Sequence, residues 1–363
     1  MGQVSKRPLT ISAQYGLIDQ SEFFDRQIAS KDMSGYYLLK NGEFAYNKSY
    51  SNDYPWGAVK RLDKYECGAL STLYICFNLD NSIVNSDFIS HYFETNKWHK
   101  GVSDIAGEGA RNHGLLNMNI EDYFLTKHYL PSLIEQEKIS YFLNLITARI
   151  ETQSKIIDKL KSQMNYIIDN IIDYSAPQFQ FKDLYINAGE GGTPSTSNNL
   201  YYENGSIPFI KIEDLSNKYL NENKDFITEQ GLKNSSAWII PANSIIYSNG
   251  ATIGRISINT YPVCTKQGIL GIIPSRIVLT EYLYYFLRSV YFRKQVHRIT
   301  VKGTMDCAYL KDLNFIKCYI PALERQEKII KSLRCLDEKI LLEETILNKL
   351  KEQKKFLLSN MFI

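Results

Sequence analysis

Two stretches of this chain carry a sustained three-and-four spacing of apolar residues. The first, Leu130 to Tyr174, has apolar positions at Ile139, Phe142, Ile146, Ile150, Ile157, Leu160, Met164, Ile167 and Ile171. The second, Ile320 to Ile363, has them at Ile329, Leu333, Leu336, Ile340, Leu347, Leu350, Leu357 and Met361. Such spacing predicts amphipathic helices with a coiled-coil seam. Gln153 and Glu343 place a polar residue at matching points of the two seams. Pro131 and Pro321 suit helix starts, because their φ is already helical and they lack an N–H that would go unpaired there. Glu135, Glu137, Glu324 and Glu327 follow at the positive end of each helix dipole, and no Pro or Gly interrupts either stretch afterwards.

The two stretches are copies of one another at a constant offset of 190 residues, Pro131 falling on Pro321. Gln136-Glu137-Lys138-Ile139 matches Gln326-Glu327-Lys328-Ile329, and Lys159-Leu160-Lys161 matches Lys349-Leu350-Lys351, without a gap. A helix of about forty residues is roughly 60 Å long and cannot bury its stripe against itself. Two copies packed against each other as an antiparallel rod bury both stripes, whereas two unrelated core helices leave the ungapped repeat unexplained.

The segments outside the helices read as mixed α and β structure. In the first, residues 1–129, Tyr36–Leu39 and Phe44–Tyr46 flank an Asn41-Gly42 turn and predict a hairpin. Strand-like Gly68–Phe77, a short helix over 86–98 and a glycine-rich loop, 107–114, follow. In the second, residues 176–319, the loop Gly189–Thr196 precedes strand signals at 208–212, 238–240 and 244–255, and Glu281–Phe292 parallels the short helix of the first. The expected fold class is therefore α+β: two mixed α/β domains joined by two long antiparallel coiled-coil helices, a tandem repeat with pseudo-two-fold character. The expected boundaries are 1–129, 130–175, 176–319 and 320–363.

Charge and cysteine usage narrow the function classes only slightly. Net charge is +3, and the six Cys are scattered without a C-x-x-C pair, so neither a zinc site nor a disulfide frame is indicated. No signal peptide and no membrane span are expected, and the default location is the reducing cytoplasm. Glycine clusters at 189–193 and 250–254 lack the Lys-Ser/Thr of a phosphate-binding loop, and the five His have no metal spacing. No Asn/Asp-Pro-Pro-aromatic signature of amino-group methylation occurs; Asn52-Asp53-Tyr54-Pro55-Trp56 is only superficially similar. No catalytic residue, metal or cofactor is assigned.

One stretch does suit a polyanion. From Tyr282 to Met305 there is no acidic residue, while Arg288, Arg293, Lys294, Arg298 and Lys302 accumulate beside His297 among aromatic residues. Such a run grips phosphates, or is simply a solvated basic helix face.

Taken together, the paired L/I-P-x-L-x-x-Q-E-K-I helices at 130–139 and 320–329, GGTPS at 191–195, the stretch 29–49 and KGT at 302–304 resemble the specificity (S) subunits of type I restriction-modification systems. The resemblance covers nearly the whole chain. It implies two target-recognition domains, each reading half of a bipartite double-stranded DNA target. It also implies helices that set the spacing and bind methyltransferase (M) subunits, a restriction (R) subunit that joins the complex, and no catalysis by the chain itself. Carried over by position, it points to DNA contacts at Thr193, Lys211, Ser248, Asn249, Thr252, Arg255, Lys266, Gln267, Lys302 and Thr304. In the first domain it points to Tyr46, Lys48, Lys60, Arg61, Ser71 and Arg111. Gln136, Glu137, Lys138, Gln326, Glu327 and Lys328 are candidates for subunit contact or for helix capping. The sequence departs from the family pattern at Met1–Ile18, which has no counterpart of Phe181–Thr196, so the first domain is expected to be shortened. The alternative expectation is a non-reading variant that serves as a coiled-coil scaffold for M subunits.

Overall fold

The computed structural model describes residues 7–12, 15–23, 33–107, 114–250, 252–300 and 306–362. The chain divides into two compact units, Met1–Ser154 with Thr345–Ile363, and Lys155–Glu344. Each unit takes part of both long helices.

The first unit opens with the hairpin β1 (Leu9–Ser12) and β2 (Gly16–Asp19), then the short α1 (Gln20–Phe23). β3 (Tyr37–Lys40), β4 (Phe44–Asn47), β5 (Ala58–Arg61), β6 (Cys67–Leu70) and β7 (Ile75–Phe77) follow. Next come α2 (Ser86–Tyr92), α3 (His99–Ile105), α4 (Ile120–Phe124) and the long α5 (Leu133–Asp169). The Asn41-Gly42 turn forms, with Gly42 at φ 87°, but β3 and β4 do not pair with each other. Gly42 N–H donates to Leu62 C=O and Leu62 N–H to Glu43 C=O, both at 2.9 Å, so the 62–66 loop wedges the two strands apart. β3 pairs with β6 instead, and β4 with β5 and β7. The core is aromatic: Tyr46 stacks on Tyr123 with centroids 4.9 Å apart and Phe44 on Phe77 at 5.6 Å. Leu143 of α5 and Phe362 join that cluster.

In the second unit, β8 (Gln178–Gln180) leads through the 3-10 turn Phe181–Leu184 into β9 (Tyr185–Glu190). β10 (Ile207–Ile210), β11 (Tyr219–Leu220), β12 (Asp225–Ile227), α6 (Glu229–Lys233), β13 (Ile245–Ser248), β14 (Ile256–Asn259), β15 (Cys264–Thr265) and β16 (Ile269–Pro274) follow. Then come α7 (Thr280–Arg288), α8 (Val290–Ile299), α9 (Leu310–Leu313), β17 (Lys317–Tyr319) and the long α10 (Leu323–Met361). A five-stranded sheet in the order β11-β14-β13-β16-β9 carries the unit. The stretch Glu281–Phe292 is not one helix. Ser289 is extended (ψ 149°) and caps α8 by accepting from Phe292 N–H at 3.2 Å, so α7 and α8 turn at that residue.

Within this unit the two long helices run in opposite directions, since Lys161 pairs with Glu344 at 2.7 Å and Asp173 with Arg325 at 2.8 Å. Leu160, Met164 and Ile168 pack in one cluster with Ile330, Leu333 and Ile340. Burying each such side chain contributes about 2 kcal/mol. The seam of α5 differs from the sequence reading at two points. Leu143 and Ile168 are buried where Phe142 and Ile167 were expected, and Phe142 is 42% exposed. Leu143, Ile146, Ile150, Gln153, Ile157, Leu160 and Met164 keep a strict three-four alternation, whereas Phe142 breaks it. Among the described residues no helix is long and apolar enough to cross a membrane.

Candidate nucleic-acid interface

In the second unit, three loops and a helix converge at one end of the five-stranded sheet. The β13–β14 hairpin supplies residues 249–250 and 252–255, the β15–β16 turn supplies Lys266–Gly268, and the segment after β9 supplies Gly191–Pro194. Glycines allow the approach. A Cβ on Gly191 would stand 2.1 Å from Thr265 C=O, and Gly268 holds φ 86°. Thr193 Oγ1 accepts from Gln267 N–H at 3.3 Å, and Gly268 N–H donates to Glu190 Oε1 at 2.8 Å. Gly268 C=O in turn accepts from Asn249 N–H at 3.0 Å. The loops therefore bind one another, which fixes the backbone around Thr193, Lys266, Gln267 and the hairpin.

At the other end of the hairpin loop, Arg255 opens into a hollow of about 500 Å³ shared with Tyr247, Arg293, Val296, His297 and Asp306. The helix α8 builds its far wall by ordinary amphipathic logic. Phe292 and Val296 are buried against the sheet, so Arg293, Lys294, His297 and Arg298 are turned outward. These four share the exposed face of a helix that contains no carboxylate. Arg255 contributes one donor to Ile212 C=O at 3.3 Å and is otherwise exposed. Two guanidinium groups outnumber the single Asp306 carboxylate in this hollow, and with the outward-facing polar loops they make a surface suited to phosphate oxygens.

Several residues expected to touch DNA are instead internal. Ser248 is fully buried; its hydroxyl donates to Thr252 C=O and accepts from Arg255 N–H, which closes the hairpin loop. Asn249 is fully buried as well. Its C=O accepts from Ala308 N–H at 2.9 Å, and its amide donates to Ala308 C=O at 3.3 Å, so it ties the hairpin to the 306–309 segment. Neither side chain reads a base. Thr252 is exposed, and Lys211 is held by Asp225 at 2.7 Å, a hydrogen bond that raises its pKa. Lys302 and Thr304 lie outside the described residues.

The first unit brings its candidates together less. Tyr46 is fully buried in the aromatic core, its hydroxyl donating to Trp56 C=O at 2.8 Å, so it makes no outward contact. Arg61 bridges Asp63 at 2.6 Å and Asp87 at 2.7 Å. Asp87 also accepts from Asn144 of α5 at 2.9 Å, so Arg61 is a fastener between strand and helix rather than a free cation. Lys60 is half-buried; burial lowers its pKa, with Glu94 opposing that effect and Lys354 adding to it. Lys48 is half-buried beside Leu116, whose N–H donates to its C=O at 2.9 Å, and Ser71 Oγ accepts from Leu73 N–H at 3.3 Å within a turn. Arg111 lies outside the described residues. Sequence reasoning placed Arg293 and His297 in an acid-free run but not in a site, because the hollow exists only once α8 lies against the β13–β14 hairpin.

Of the helix candidates, Gln136 and Gln326 are buried and engaged within the chain. Glu137, Lys138, Glu327 and Lys328 are exposed on the turns above them.

Residues 178–352, which contain this whole surface, match the type I restriction modification DNA specificity domain. That match gives the second half of the chain a type I restriction modification DNA specificity domain. It is 28% identical over 218 residues to the type I restriction enzyme EcoR124I/EcoR124II specificity subunit of Escherichia coli, covering 57% of this chain and 52% of that protein. It is 31% identical over 201 residues to the MjaIX specificity subunit of Methanocaldococcus jannaschii, covering 54% and 44%. The chain thus spans about half the length of these curated relatives. Two solved structures share its fold. A chain from a study of complex assembly and conformational transition of the type I R-M system superposes at TM-score 0.59 with 14% identity, over 90% of this chain and 82% of that one. The type I restriction-modification S subunit from M. genitalium does so at 0.51 with 16% identity, over 90% and 84%.

Proposed function

We propose that this chain is the DNA sequence-recognition subunit of a type I restriction-modification complex and performs no catalysis itself. It reads a bipartite double-stranded DNA target through two recognition domains, residues 1–129 and 176–319. The helical segments 130–175 and 320–363 form an antiparallel coiled coil that sets the distance between the half-sites. Methyltransferase subunits dock on that coiled coil around Glu137, Lys138, Glu327 and Lys328, and the restriction subunit joins the assembly. The observation that carries the reading is the hollow where Arg255 and Arg293 meet beside His297 and Asp306, framed by the interlocked loops at Thr193 and Gln267.

In this reading Arg255, Arg293 and Lys294 grip phosphates, while Thr193, Thr252, Lys266 and Gln267 present donors and acceptors to base edges. The candidate cations of the first unit are more heavily engaged, so its half-site contacts rest on Lys48 and Lys60. The test is DNA binding by the complex of this chain with its M subunit across a salt series. Log affinity falls linearly with log salt, and replacing Arg255 and Arg293 by Ala flattens the slope by about two. A stable complex with M that shows no preference among DNA sequences would favour the scaffold alternative.

A further inference from the structure

Glu190 closes β9 at the loop end of the second unit, and its Oε1 accepts from Gly268 N–H at 2.8 Å. Gly268 holds φ 86°, a turn that this bond braces, and Glu190 is itself exposed. A carboxylate offers about four lone-pair sites, so a single N–H leaves most of its accepting capacity open. The loops around it, 191–194, 249–250, 252–255 and 266–268, contain no acidic residue.

Strand register places that capacity beside the hollow. Glu190 stands opposite Leu270 on β16, and Leu270 stands opposite Tyr247 on β13. Directly opposed residues share a sheet face and neighbouring strands lie about 4.8 Å apart, so Glu190 is roughly 10 Å from Tyr247 on the same face. Tyr247 lines the hollow of Arg255 and Arg293. The segment 306–308 lies against this arrangement: Ala308 N–H donates to Asn249 C=O at 2.9 Å, and the Cys307 thiol is pushed up by burial first and by the Glu190 charge second. The major groove of B-DNA is about 12 Å wide and about 8.5 Å deep. A phosphate of its rim held in the hollow thus brings base edges on its floor within reach of Glu190. An anionic oxygen is repelled by phosphates and by the base acceptors N7, O6 and O4; the donors the groove offers it are cytosine N4–H and adenine N6–H. The adenine amine is flanked on both sides by acceptors, its own N7 and the O4 of the paired thymine. The cytosine amine has an acceptor on one side only, the guanine O6.

We propose that Glu190 is a specificity-determining residue: its open lone pairs accept from the N4 amino group of a cytosine in the half-site read by the second unit. The brace from Gly268 holds the carboxylate in place before DNA arrives, so the contact needs no side-chain ordering at the moment of binding. The inference rests on the DNA reading of this surface and adds one base of the target to it.

The experiment uses the full chain in complex with its M subunit, as wild type, Glu190→Gln and Glu190→Ala. Methylome sequencing defines the wild-type motif, and binding to duplexes carrying each base at every position of that half-site measures discrimination. Gln keeps an oxygen for Gly268 N–H and turns an N–H outward, so the turn survives while the acceptor becomes a donor. The wild type is expected to prefer cytosine at one position by about tenfold or more. Glu190→Gln should lose that preference in favour of guanine or thymine, which present acceptors, with the other positions unchanged. N4-methylcytosine, whose methyl group replaces the major-groove hydrogen, should weaken wild-type binding about tenfold. Inosine in the paired strand, which lacks only the minor-groove amine of guanine, should not. The same base preferences in all variants, or a uniform loss of affinity at every base, overturn the proposal and make Glu190 a brace of the turn, with the DNA reading intact. A preference for adenine, or a loss with inosine alone, overturns it as well. Absence of any motif with the wild type overturns both the proposal and the DNA reading. Glu190→Gln decides the matter even if Glu190→Ala fails to fold.

Discussion

Gln136 and Gln326 make the same three hydrogen bonds. Gln136 Oε1 accepts from Asn85 N–H at 2.8 Å, and its amide donates to Ile83 C=O at 3.2 Å and Pro131 C=O at 2.9 Å. Gln326 Oε1 accepts from Leu279 N–H at 2.8 Å, and its amide donates to Ile277 C=O at 2.9 Å and Pro321 C=O at 2.8 Å. In each unit one glutamine thus joins the start of a long helix to the start of a short one, α2 or α7, and satisfies otherwise orphaned backbone groups at both. This explains why the Q-E-K-I signature occurs twice: its first residue is a buried clamp, and only the next two face outward.

Replacing either glutamine by Ala should destabilise its own unit by about 2–4 kcal/mol, because three bonds are lost and buried backbone groups are left unpaired. Gln326→Glu should be no milder, since a carboxylate accepts from Leu279 but repels two carbonyl oxygens. Denaturant titration of the single variants checks both expectations; losses below about 0.5 kcal/mol would show that water replaces the clamp.

Glu94 makes the first unit sensitive to acid. Burial alone would raise its pKa, but the hydrogen bond from His91 and the Lys354 ammonium 2.8 Å away outweigh that and hold it at about 2. A carboxylate whose folded pKa lies below its unfolded value of about 4.3 stabilises the fold above that value. The contribution is lost as pH falls from about 4.5 toward 2. Glu94→Gln should remove that part of the acid dependence, which stability measured as a function of pH will show.

In the second unit Lys218 Nζ lies 3.0 Å from both Glu281 and Asp337 and 2.7 Å from Tyr285 Oη, joining β11's approach to α7 and α10. Lys218→Ala should cost about 3 kcal/mol, chiefly by leaving the half-buried Asp337 without its ammonium partner, while Glu281 keeps its pair with Arg334. Adding Asp337→Asn should recover part of the loss, which a double-mutant cycle measures.

Arg61 and Arg255 are expected to separate stability from DNA binding. Arg61→Ala breaks the link through Asp87 to Asn144 and should lower stability by about 1–3 kcal/mol while leaving the salt slope of DNA binding nearly unchanged. Arg255→Ala should do the reverse, reducing the slope by about one with little effect on melting. The same outcome for both would mean that Arg255 is also a fastener.

The helices were the most legible part of the sequence, because a three-four seam over about forty residues has few structural solutions. Even there the register slipped by one at Phe142, where an aromatic side chain on the solvent face looks like a seam residue. The hairpin at Asn41-Gly42 misled because turn chemistry is local, whereas strand partnership was decided by Leu62. Ser248 and Asn249 look like surface polar residues in a Gly-rich loop, yet both are consumed in closing it. The hollow around Arg255 was hidden because its far wall, Arg293 and His297, arrives from about forty residues downstream.

The measurement that tests the central claim most directly is methylome sequencing of cells carrying this chain with its cognate M subunit. Cells with the Arg255→Ala, Arg293→Ala variant and cells lacking the chain serve as comparisons. The account predicts a bipartite methylation motif present only with the chain and degraded at one half-site in the variant. A stable complex with M that leaves no motif, or a motif indifferent to both arginines, would contradict it.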